Sequence, residues 1–226
     1  MRTQRRARGR CSFLKGNKFL YLKHAVNIML AFAWYNGCLK RAQKRSNKLK
    51  ALEKEYTMAE KNNIVLIGMP GAGKSTLGIV LAKILNYNFI DADLVIQNQC
   101  DKTLQKLIDA CGPEGFIQVE NQILSDLNAE HSIIATGGSA VYSDEAMKHL
   151  SDIGRVVYLQ ISYDELKRRL SDLQERGVVL KGGITMSLQE LFDERKPLYE
   201  HYAEITVDVN DLSIEAAARK VADALQ

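Results

Sequence analysis

Cysteine is scarce in this chain, and its pattern excludes several kinds of site. The 226 residues include only four cysteines, and no two of them form a C-x-x-C pair: Cys11, Cys38, Cys100 and Cys111. Their spacings match no zinc-binding or thioredoxin-like redox motif. We therefore expect reduced thiols in a cytoplasmic protein, because disulfides are rare in that compartment.

The chain also lacks a long uninterrupted apolar segment. Its most apolar stretch runs from Phe19 to Trp34 and is interrupted by Lys23, His24 and Asn27. A membrane-spanning helix needs about 20 consecutive, mostly apolar residues. We therefore expect no stable membrane span.

Negative charge is almost absent from the first 57 residues. That segment holds 15 lysines and arginines against two acidic residues, whereas residues 58–226 hold 16 basic and 25 acidic residues. The asymmetry predicts a basic N-terminal extension, residues 1–57, attached to a domain of residues 58–226. Because that domain is acidic, we expect no nucleic-acid partner, which would require a basic patch on the folded part.

The extension itself has four interpretations. Its Arg-rich, acid-poor start is typical of an organellar transit peptide, and Ala31-Phe32-Ala33 resembles the cleavage site of a signal peptide. A basic amphipathic helix could instead lie on a membrane surface. We favour the fourth interpretation, in which residues 1–57 are upstream sequence wrongly joined to a protein that starts at Met58.

Short apolar runs alternate with helical patterns after Met58. Runs rich in β-branched residues predict strands at 63–67, 88–91, 132–135, 155–160 and 205–209. Helical periodicity covers 74–85, 104–127 with a break near 111–113, 164–173, 187–202 up to the region of Pro197, and 213–225. The Gly-rich segment 174–186 predicts a flexible loop. The alternation predicts an α/β fold with a central parallel sheet and helices on both faces.

A glycine-rich motif follows the first predicted strand. Residues 68–76 read GMPGAGKST, which satisfies G-x-x-x-x-G-K-[ST] between a strand and a helix. Glycines let successive backbone N–H groups converge on a phosphate, and the following helix directs its positive end at the same point. In such a loop Lys74 bridges the β- and γ-phosphates, and the hydroxyl of Ser75 binds Mg²⁺. The motif predicts nucleotide binding without specifying the reaction.

Two aspartates mark the end of the second predicted strand. We interpret Asp91-Ala92-Asp93 as strand, in which residues i and i+2 face the same side. Both carboxylates would then face the crevice at the carboxyl edge of the sheet, where one could help hold Mg²⁺ and the other could accept a hydroxyl proton. The spacing equally allows a pair of acids at a helix start, because Asp is a common N-cap residue.

The domain resembles the shikimate kinase family over essentially all of residues 62–226. The resemblance rests on GMPGAGKST at 68–76, IDAD at 90–93, PEGFIQVE at 113–120, ATGGSAV at 135–141 and RKPLY at 195–199. It implies a three-layer P-loop domain of the nucleoside-monophosphate-kinase type with a mobile lid. It also implies ATP- and Mg²⁺-dependent transfer of the γ-phosphate to a hydroxyl of a small carboxylate-bearing metabolite. Shikimate, in aromatic amino-acid biosynthesis, is the acceptor we favour, and we expect a monomer.

The resemblance further implies roles for individual residues. The residues that would hold ATP are Gly71, Ala72, Gly73, Lys74, Ser75, Thr76 and Arg176. Ser75 and Asp91 would bind or order Mg²⁺. The residues that would bind the acceptor are Asp93, Gly137, Gly138 and Arg195, with Asp93 as the base and Arg195 on the carboxylate. Arg176 falls where the family places its lid arginine, and with Lys74 it would neutralise charge in the transition state.

Other side chains near these motifs have less specific interpretations. Arg169 is a weaker candidate for a position beside the adenine. Arg195 could simply solvate a helix face, and Glu120 could either orient a site arginine or face water. For Tyr199 we favour packing over chemistry.

Two departures from the family pattern lie in the acceptor-binding parts. Ile117 replaces a family arginine that grips the shikimate carboxylate, and losing that pair would cost on the order of 1.5–3 kcal/mol of binding. Ser139 replaces the third glycine of a GGG motif, which narrows the pocket and adds a hydroxyl. In the lid, Gly177-Val178-Val179-Leu180 follows Arg176 where the family reads R-P-L-L.

Three functional hypotheses therefore stay open at the level of sequence. The first is shikimate 3-phosphorylation with a weakened carboxylate clamp. The second is the same chemistry on another small hydroxy acid, such as homoserine. The third is a nucleotide-binding regulatory module that has lost catalysis, against which stand the retained side chains Lys74, Ser75, Asp91 and Asp93.

Overall fold

The computed structural model describes residues 61–171 and 186–226, and every structural statement below refers to those residues. Five strands are present: β1 (Asn63–Ile67), β2 (Asn88–Asp91), β3 (Ser132–Ala135), β4 (Gly154–Gln160) and β5 (Ile205–Asp208). The helices are α1 (Lys74–Leu85), α2 (Ala92–Cys100), α3 (Leu104–Ser125), α4 (Asp144–Ile153), α5 (Tyr163–Ser171), α6 (Leu188–Tyr202) and α7 (Ile214–Ala224). A single 3-10 turn, Ala140–Tyr142, precedes α4.

The strands form one sheet in the order β2-β3-β1-β4-β5, and every neighbouring pair is parallel. All five residues of β1 are buried, as are all four of β3. Successive side chains of a strand point to opposite faces, so full burial means that both faces are covered. The predicted α/β fold with a central parallel sheet and helices on both faces is therefore confirmed.

The chain changes direction across the sheet at β1. From β1 it moves through α1 to the edge strand β2, returns to β3, and later passes β1 to reach β4 on the other side. Ligands of open α/β sheets bind at such a switch point, outside the carboxyl ends of the strands. The glycine-rich motif follows β1 and therefore lies at this point.

Local signals explain several helix starts. The hydroxyl of Thr103 accepts a hydrogen bond from the backbone of α3, Ser213 does the same for α7, and Ser187 forms a capping box with Glu190 in α6. The predicted break in α3 is present at Gly112, where φ is 72°. Pro197 does not end α6, which continues to Tyr202.

The sequence patterns missed two helices. Short α2 follows β2 directly, and α4 occupies the stretch between β3 and β4 for which no element was predicted. The predicted loop 174–186 lies, except for its last residue, outside the described residues, as does the extension 1–57. Within the described ranges, no helix combines the length and apolarity needed to cross a bilayer.

Candidate active site

The glycine-rich motif forms the turn between β1 and α1. Gly73 is the N-cap of α1 with φ 93°, and Gly71 has φ 84°, conformations that L side chains rarely adopt. No side chain caps α1, and its first turn contains no acidic residue. The first N–H groups of this helix are therefore left for an anion, which is the arrangement that binds phosphates.

Lys74 folds back over this turn. Its Nζ donates hydrogen bonds to the carbonyl oxygens of Gly68 at 2.7 Å and Met69 at 3.0 Å, and the residue is only 8% exposed. Burial lowers the pKa of Lys74 to about 8, while the Asp93 carboxylate acts in the opposite direction. Ser75 and Thr76, the next two residues, are exposed, so the Ser75 hydroxyl is accessible to a ligand at the helix start.

The two aspartates after β2 correct the strand interpretation. Asp91 is the last residue of β2 and the N-cap of α2, and its Oδ1 accepts a hydrogen bond from the backbone N–H of Asp93 at 3.0 Å. Asp93 lies in the first turn of α2 and not in a strand, so the argument from i, i+2 alternation was wrong. The alternative of two acids at a helix start was the correct structural description.

Helix geometry nevertheless keeps Asp93 in the crevice. Burial and then the neighbouring Asp91 carboxylate raise the pKa of Asp93, and Lys74 partly offsets this. Asp93 and the Lys74 ammonium group therefore lie at the same carboxyl edge of the sheet, close enough for each charge to affect the pKa of the other.

Glu120 is the second acid of the crevice. It extends from α3 and is fully buried, which excludes the interpretation that it faces water. Its Oε2 accepts a hydrogen bond from the Ser139 hydroxyl at 2.6 Å, whereas its Oε1 has no hydrogen-bond partner among the described residues. Burial raises the pKa of Glu120 to about 7, an effect that the Ser139 hydrogen bond opposes. Ser139 was expected to narrow the acceptor pocket, and its hydroxyl is engaged with Glu120.

Gly137 and Gly138 leave room for these side chains. A Cβ at Gly137 would lie 2.3 Å from Oε1 of Glu120 and 3.2 Å from Oδ1 of Asp93. A Cβ at Gly138 would lie 2.9 Å from Nη1 of Arg195. Any larger residue would therefore displace the acids or the guanidinium, so the two glycines shape the space between Asp93, Glu120 and Arg195.

Arg195 reaches this space from α6. It is 1% exposed, which excludes the interpretation that it solvates a helix face. Its Nε donates a hydrogen bond to the Tyr142 hydroxyl at 3.1 Å, and its guanidinium carbon lies 5.0 Å from the centre of the Tyr142 ring. A buried guanidinium needs such partners, because a charge removed from water is otherwise costly.

Tyr199 supports the same wall of the site. It is fully buried, stacks on Tyr158 with ring centres 5.2 Å apart, and donates a hydrogen bond to the carbonyl oxygen of Gly138 at 2.8 Å. The residue is thus mainly a packing group, and its hydroxyl also fixes the backbone beside Arg195.

Arg169 connects the phosphate loop to its surroundings. It forms an ion pair with Glu165 at 2.5 Å and donates hydrogen bonds to the carbonyl oxygens of Ala72 and Val209, each at 3.2 Å. These contacts place Arg169 against the phosphate loop. That Arg169 lies beside the adenine of a bound nucleotide stays a prediction.

Two sequence-level candidates have a different status. Arg176 lies outside the described residues, so its assignment to a lid stays a prediction. Ile117, on α3, is half-buried and supplies neither charge nor donor. Tyr142 was missed entirely by sequence reasoning, because nothing in its neighbourhood marks it as a partner for an arginine 53 residues away.

The donor set around the phosphate loop fits Mg²⁺. The Ser75 hydroxyl and the Asp91 carboxylate are oxygen ligands, the type that Mg²⁺ prefers. No group of three or more His, Cys, Asp or Glu that could enclose a metal occurs within the described ranges. Mg²⁺ usually keeps several waters and substrate phosphates as ligands, so two protein oxygens are enough for such a site.

The site therefore has two halves. An uncapped helix start and a buried lysine form an anion-binding half that suits a polyphosphate. A buried arginine and two acids with raised pKa values line the other half, which suits a small molecule that carries both a carboxylate and hydroxyl groups. Where the halves meet, at Lys74 and Asp93, a phosphoryl group could pass between two such ligands.

Comparison with protein families agrees with this geometry. The family model described as shikimate kinase matches residues 70–226. A shikimate kinase of Vibrio parahaemolyticus is 38% identical over 170 residues, which cover 75% of this chain and 99% of the relative. A shikimate kinase of Francisella tularensis is 36% identical over 166 residues, which cover 73% of this chain and 94% of the relative.

Solved structures give the same result. The structure of shikimate kinase from Acinetobacter baumannii in complex with shikimate matches with a TM-score of 0.66 and 29% identity, over 72% of this chain and 92% of that one. Shikimate kinase from Bacteroides thetaiotaomicron matches with a TM-score of 0.62 and 29% identity, over 72% of this chain and 97% of that one.

Proposed function

Because the chain belongs to the shikimate kinase family, we propose that it transfers the γ-phosphate of ATP to the 3-hydroxyl of shikimate, in aromatic amino-acid biosynthesis. The reaction class is phosphoryl transfer to an alcohol. The observation that carries the proposal is the convergence of three side chains on one crevice: the buried Lys74 of the phosphate loop, Asp93 and the buried Arg195.

The anion-binding half of the site, which we call the donor half because it would hold ATP, acts through position and charge. The N–H groups at the start of α1 bind the phosphates, and Lys74 exchanges its two loop carbonyls for the β- and γ-phosphate oxygens. This exchange is favourable because a buried ammonium gains a stronger partner in an anion than in two neutral carbonyls. Arg176, supplied by the segment outside the described residues, would cover the phosphates on closure.

The other half, with Asp93, Glu120 and Arg195, would hold the molecule that accepts the phosphate, and we call it the acceptor half. It orients the nucleophile. Arg195 pairs with the carboxylate of the acceptor, and Gly137 and Gly138 allow the ring to approach the backbone. Asp93 accepts the proton of the attacking hydroxyl, a role that its raised pKa suits. In-line transfer then needs little further chemistry from the protein, because positioning and charge neutralisation supply most of the acceleration.

Ser75 and Asp91 would hold Mg²⁺ beside the phosphates. The chemistry supplied there is neutralisation of charge on the β- and γ-phosphate oxygens. The hydrogen bond from the Asp93 backbone fixes the Asp91 carboxylate at the helix start, so that it is oriented before a ligand arrives.

Three further assignments belong to the proposal. The family match begins at residue 70, which supports a catalytic domain of residues 58–226 with residues 1–57 as a separate extension. The need for ATP argues against secretion, and we propose a cytoplasmic location. We also propose that the enzyme acts as a monomer.

One observation favours a second acceptor class. Ile117 supplies no charge, so Arg195 faces the acceptor carboxylate without help from position 117. A smaller hydroxy acid such as homoserine would suit a more apolar wall on that side of the pocket. The choice between the two acceptors is a matter of measured kcat/KM.

The test is an ADP-release assay on the purified full-length protein with MgATP. Shikimate and homoserine are compared side by side, and we expect shikimate to have the higher kcat/KM. Lys74→Ala should lower turnover at least a hundredfold by removing phosphate contacts, and Asp93→Asn should lower it similarly by removing the base. Circular dichroism checks that both variants are folded. Absence of turnover with shikimate would reject the proposal, and near-normal turnover by Asp93→Asn would remove that residue from the base role.

A further inference from the structure

The turn after β3 contacts both charged side chains of the acceptor half. Ser139 immediately precedes the 3-10 turn, and Tyr142 is its last residue. Ser139 donates a hydrogen bond to Glu120, and Tyr142 accepts one from Arg195. Three residues of separation on a 3-10 turn bring two side chains onto one side, since the turn has three residues per repeat.

The Ser139 contact fixes a carboxyl group that points into the acceptor space. With Oε2 of Glu120 bound to Ser139, Oε1 is directed at Gly137, where an added Cβ would meet it at 2.3 Å. This oxygen is fully buried and has no hydrogen-bond partner among the described residues. Buried polar atoms without a partner are rare in folded proteins, and at a ligand site they indicate a contact that the ligand supplies.

The Tyr142 contact fixes the guanidinium. The phenol binds Nε, and the face of its ring lies under the guanidinium carbon. A guanidinium presents its donors in a planar fork, so fixing Nε fixes the direction of the other nitrogens. One of these, Nη1, lies against Gly138, at the edge of the acceptor space.

We propose that Ser139 and Tyr142 are positioning residues that set acceptor specificity, Ser139 by holding Glu120 and Tyr142 by holding Arg195. The inference rests on the proposed phosphorylation of a hydroxy acid. The favoured acceptor carries a carboxylate for Arg195 and, besides the reacting hydroxyl, a second hydroxyl that forms a hydrogen bond with Oε1 of Glu120. The two contacts act on different groups of the acceptor, so they can be separated experimentally.

The first experiment uses Tyr142→Phe, which keeps the ring and removes only the hydroxyl. Wild-type and variant are assayed with shikimate and with its methyl ester, which lacks the negative charge. We expect the KM for shikimate to rise about three- to tenfold, because one hydrogen bond to a charged group is lost. The KM for the ester, the KM for MgATP and kcat should change less than about twofold. A merely structural role would raise the KM of acid and ester equally, and that result would overturn the assignment of Tyr142.

The second experiment uses Ser139→Ala alone and combined with Glu120→Ala, which removes the carboxyl group that Ser139 contacts. We expect Ser139→Ala to raise the KM for shikimate and for its ester by the same factor, about three- to tenfold, since the carboxylate contact is untouched. In the Glu120→Ala background the same change should have a smaller effect, because two residues acting through one contact are not additive. Fully additive effects would overturn the assignment of Ser139.

Two control variants match these substitutions. Tyr202→Phe removes a phenol that donates to the Asp144 carboxylate about two helical turns beyond Arg195. Ser132→Ala removes a buried hydroxyl that donates to the Glu130 carbonyl at the opposite end of β3. Neither control should alter the KM for shikimate. A wild-type protein without shikimate turnover would reject the proposed function itself, whereas an active wild-type with unaffected variants would reject only the inference.

Discussion

Glu120→Gln tests whether the acceptor half holds a carboxyl group under strong desolvation. Gln has nearly the shape of Glu and can keep a hydrogen bond with the Ser139 hydroxyl, but it cannot ionise. Glu120 is fully buried, and burial raises its pKa from an ordinary 4.5 to about 7. The substitution therefore removes one titration and little else.

The magnitude follows from the shift in pKa. Between pH 4.5 and 7 the folded protein keeps a proton on Glu120 that the unfolded chain has released, so stability falls as the pH rises through this window. The rise in pKa from 4.5 to about 7 corresponds to about 3 kcal/mol at 1.36 kcal/mol per pKa unit, reached once the pH exceeds the folded pKa. Most of this difference, about 2–3 kcal/mol, develops between pH 5 and pH 8.

Urea unfolding at pH 5, 6, 7 and 8 measures the effect. Asp93 also has a raised pKa, so the wild-type and the variant will share part of their pH dependence. The wild-type should lose about 2–3 kcal/mol more free energy of unfolding than Glu120→Gln between pH 5 and pH 8. Parallel profiles for the two proteins would mean that Glu120 ionises without a penalty, which would refute the reasoning from burial.

Two further predictions concern glycines. Gly137→Ala puts a methyl group 2.3 Å from Oε1 of Glu120, so the KM for shikimate should rise at least about tenfold. Calorimetry should show an unchanged affinity for MgATP. An unchanged KM would mean that the acceptor does not approach the backbone at Gly137. Gly78→Ala in α1 puts a methyl group 2.7 Å from the Phe89 ring, and despite its better helix propensity it should lower the free energy of unfolding by about 1–3 kcal/mol in urea titrations. Ile79→Ala, on the exposed side of the same helix, should change the free energy of unfolding by less than about 1 kcal/mol. Equal losses of stability in the two variants would mean that the contact with Phe89 is not the cause of the Gly78→Ala effect.

The sheet was predictable because its strands carry strong local signals. β1 (NIVLI) and β3 (SIIA) are short runs rich in isoleucine and valine, and burial on both faces produces such runs. Helix α2 was missed because its nine residues directly follow β2 without an intervening loop, so the chain offers no turn signal between them. The cap that starts α2 is Asp91 itself, which was assigned to the strand.

The two halves of the site differ in how far sequence reasoning could reach them. The phosphate loop is one continuous segment, and its conformation depends on three glycines within six residues of the chain, Gly68, Gly71 and Gly73. The acceptor half joins α3, the turn after β3 and α6, which come together only in the folded domain. Whether Glu120 meets water or Ser139 depends on the packing of these elements, and no local pattern records it.

Electrostatics links the unusual residues of the acceptor half. The crevice contains two buried cations, Lys74 and Arg195, and the acids Asp93 and Glu120. An ionised Glu120 would compete with the acceptor carboxylate for Arg195. This competition would weaken acceptor binding the more because Ile117 adds no second positive charge. Burial opposes the ionisation of Glu120 near neutral pH. The single hydrogen bond from Ser139 orients the carboxyl group, and it favours the ionised form less than a neighbouring arginine would. The positive charge of Arg195 therefore stays available to the acceptor, so the loss of a cation at position 117 is compatible with continued recognition of a carboxylate.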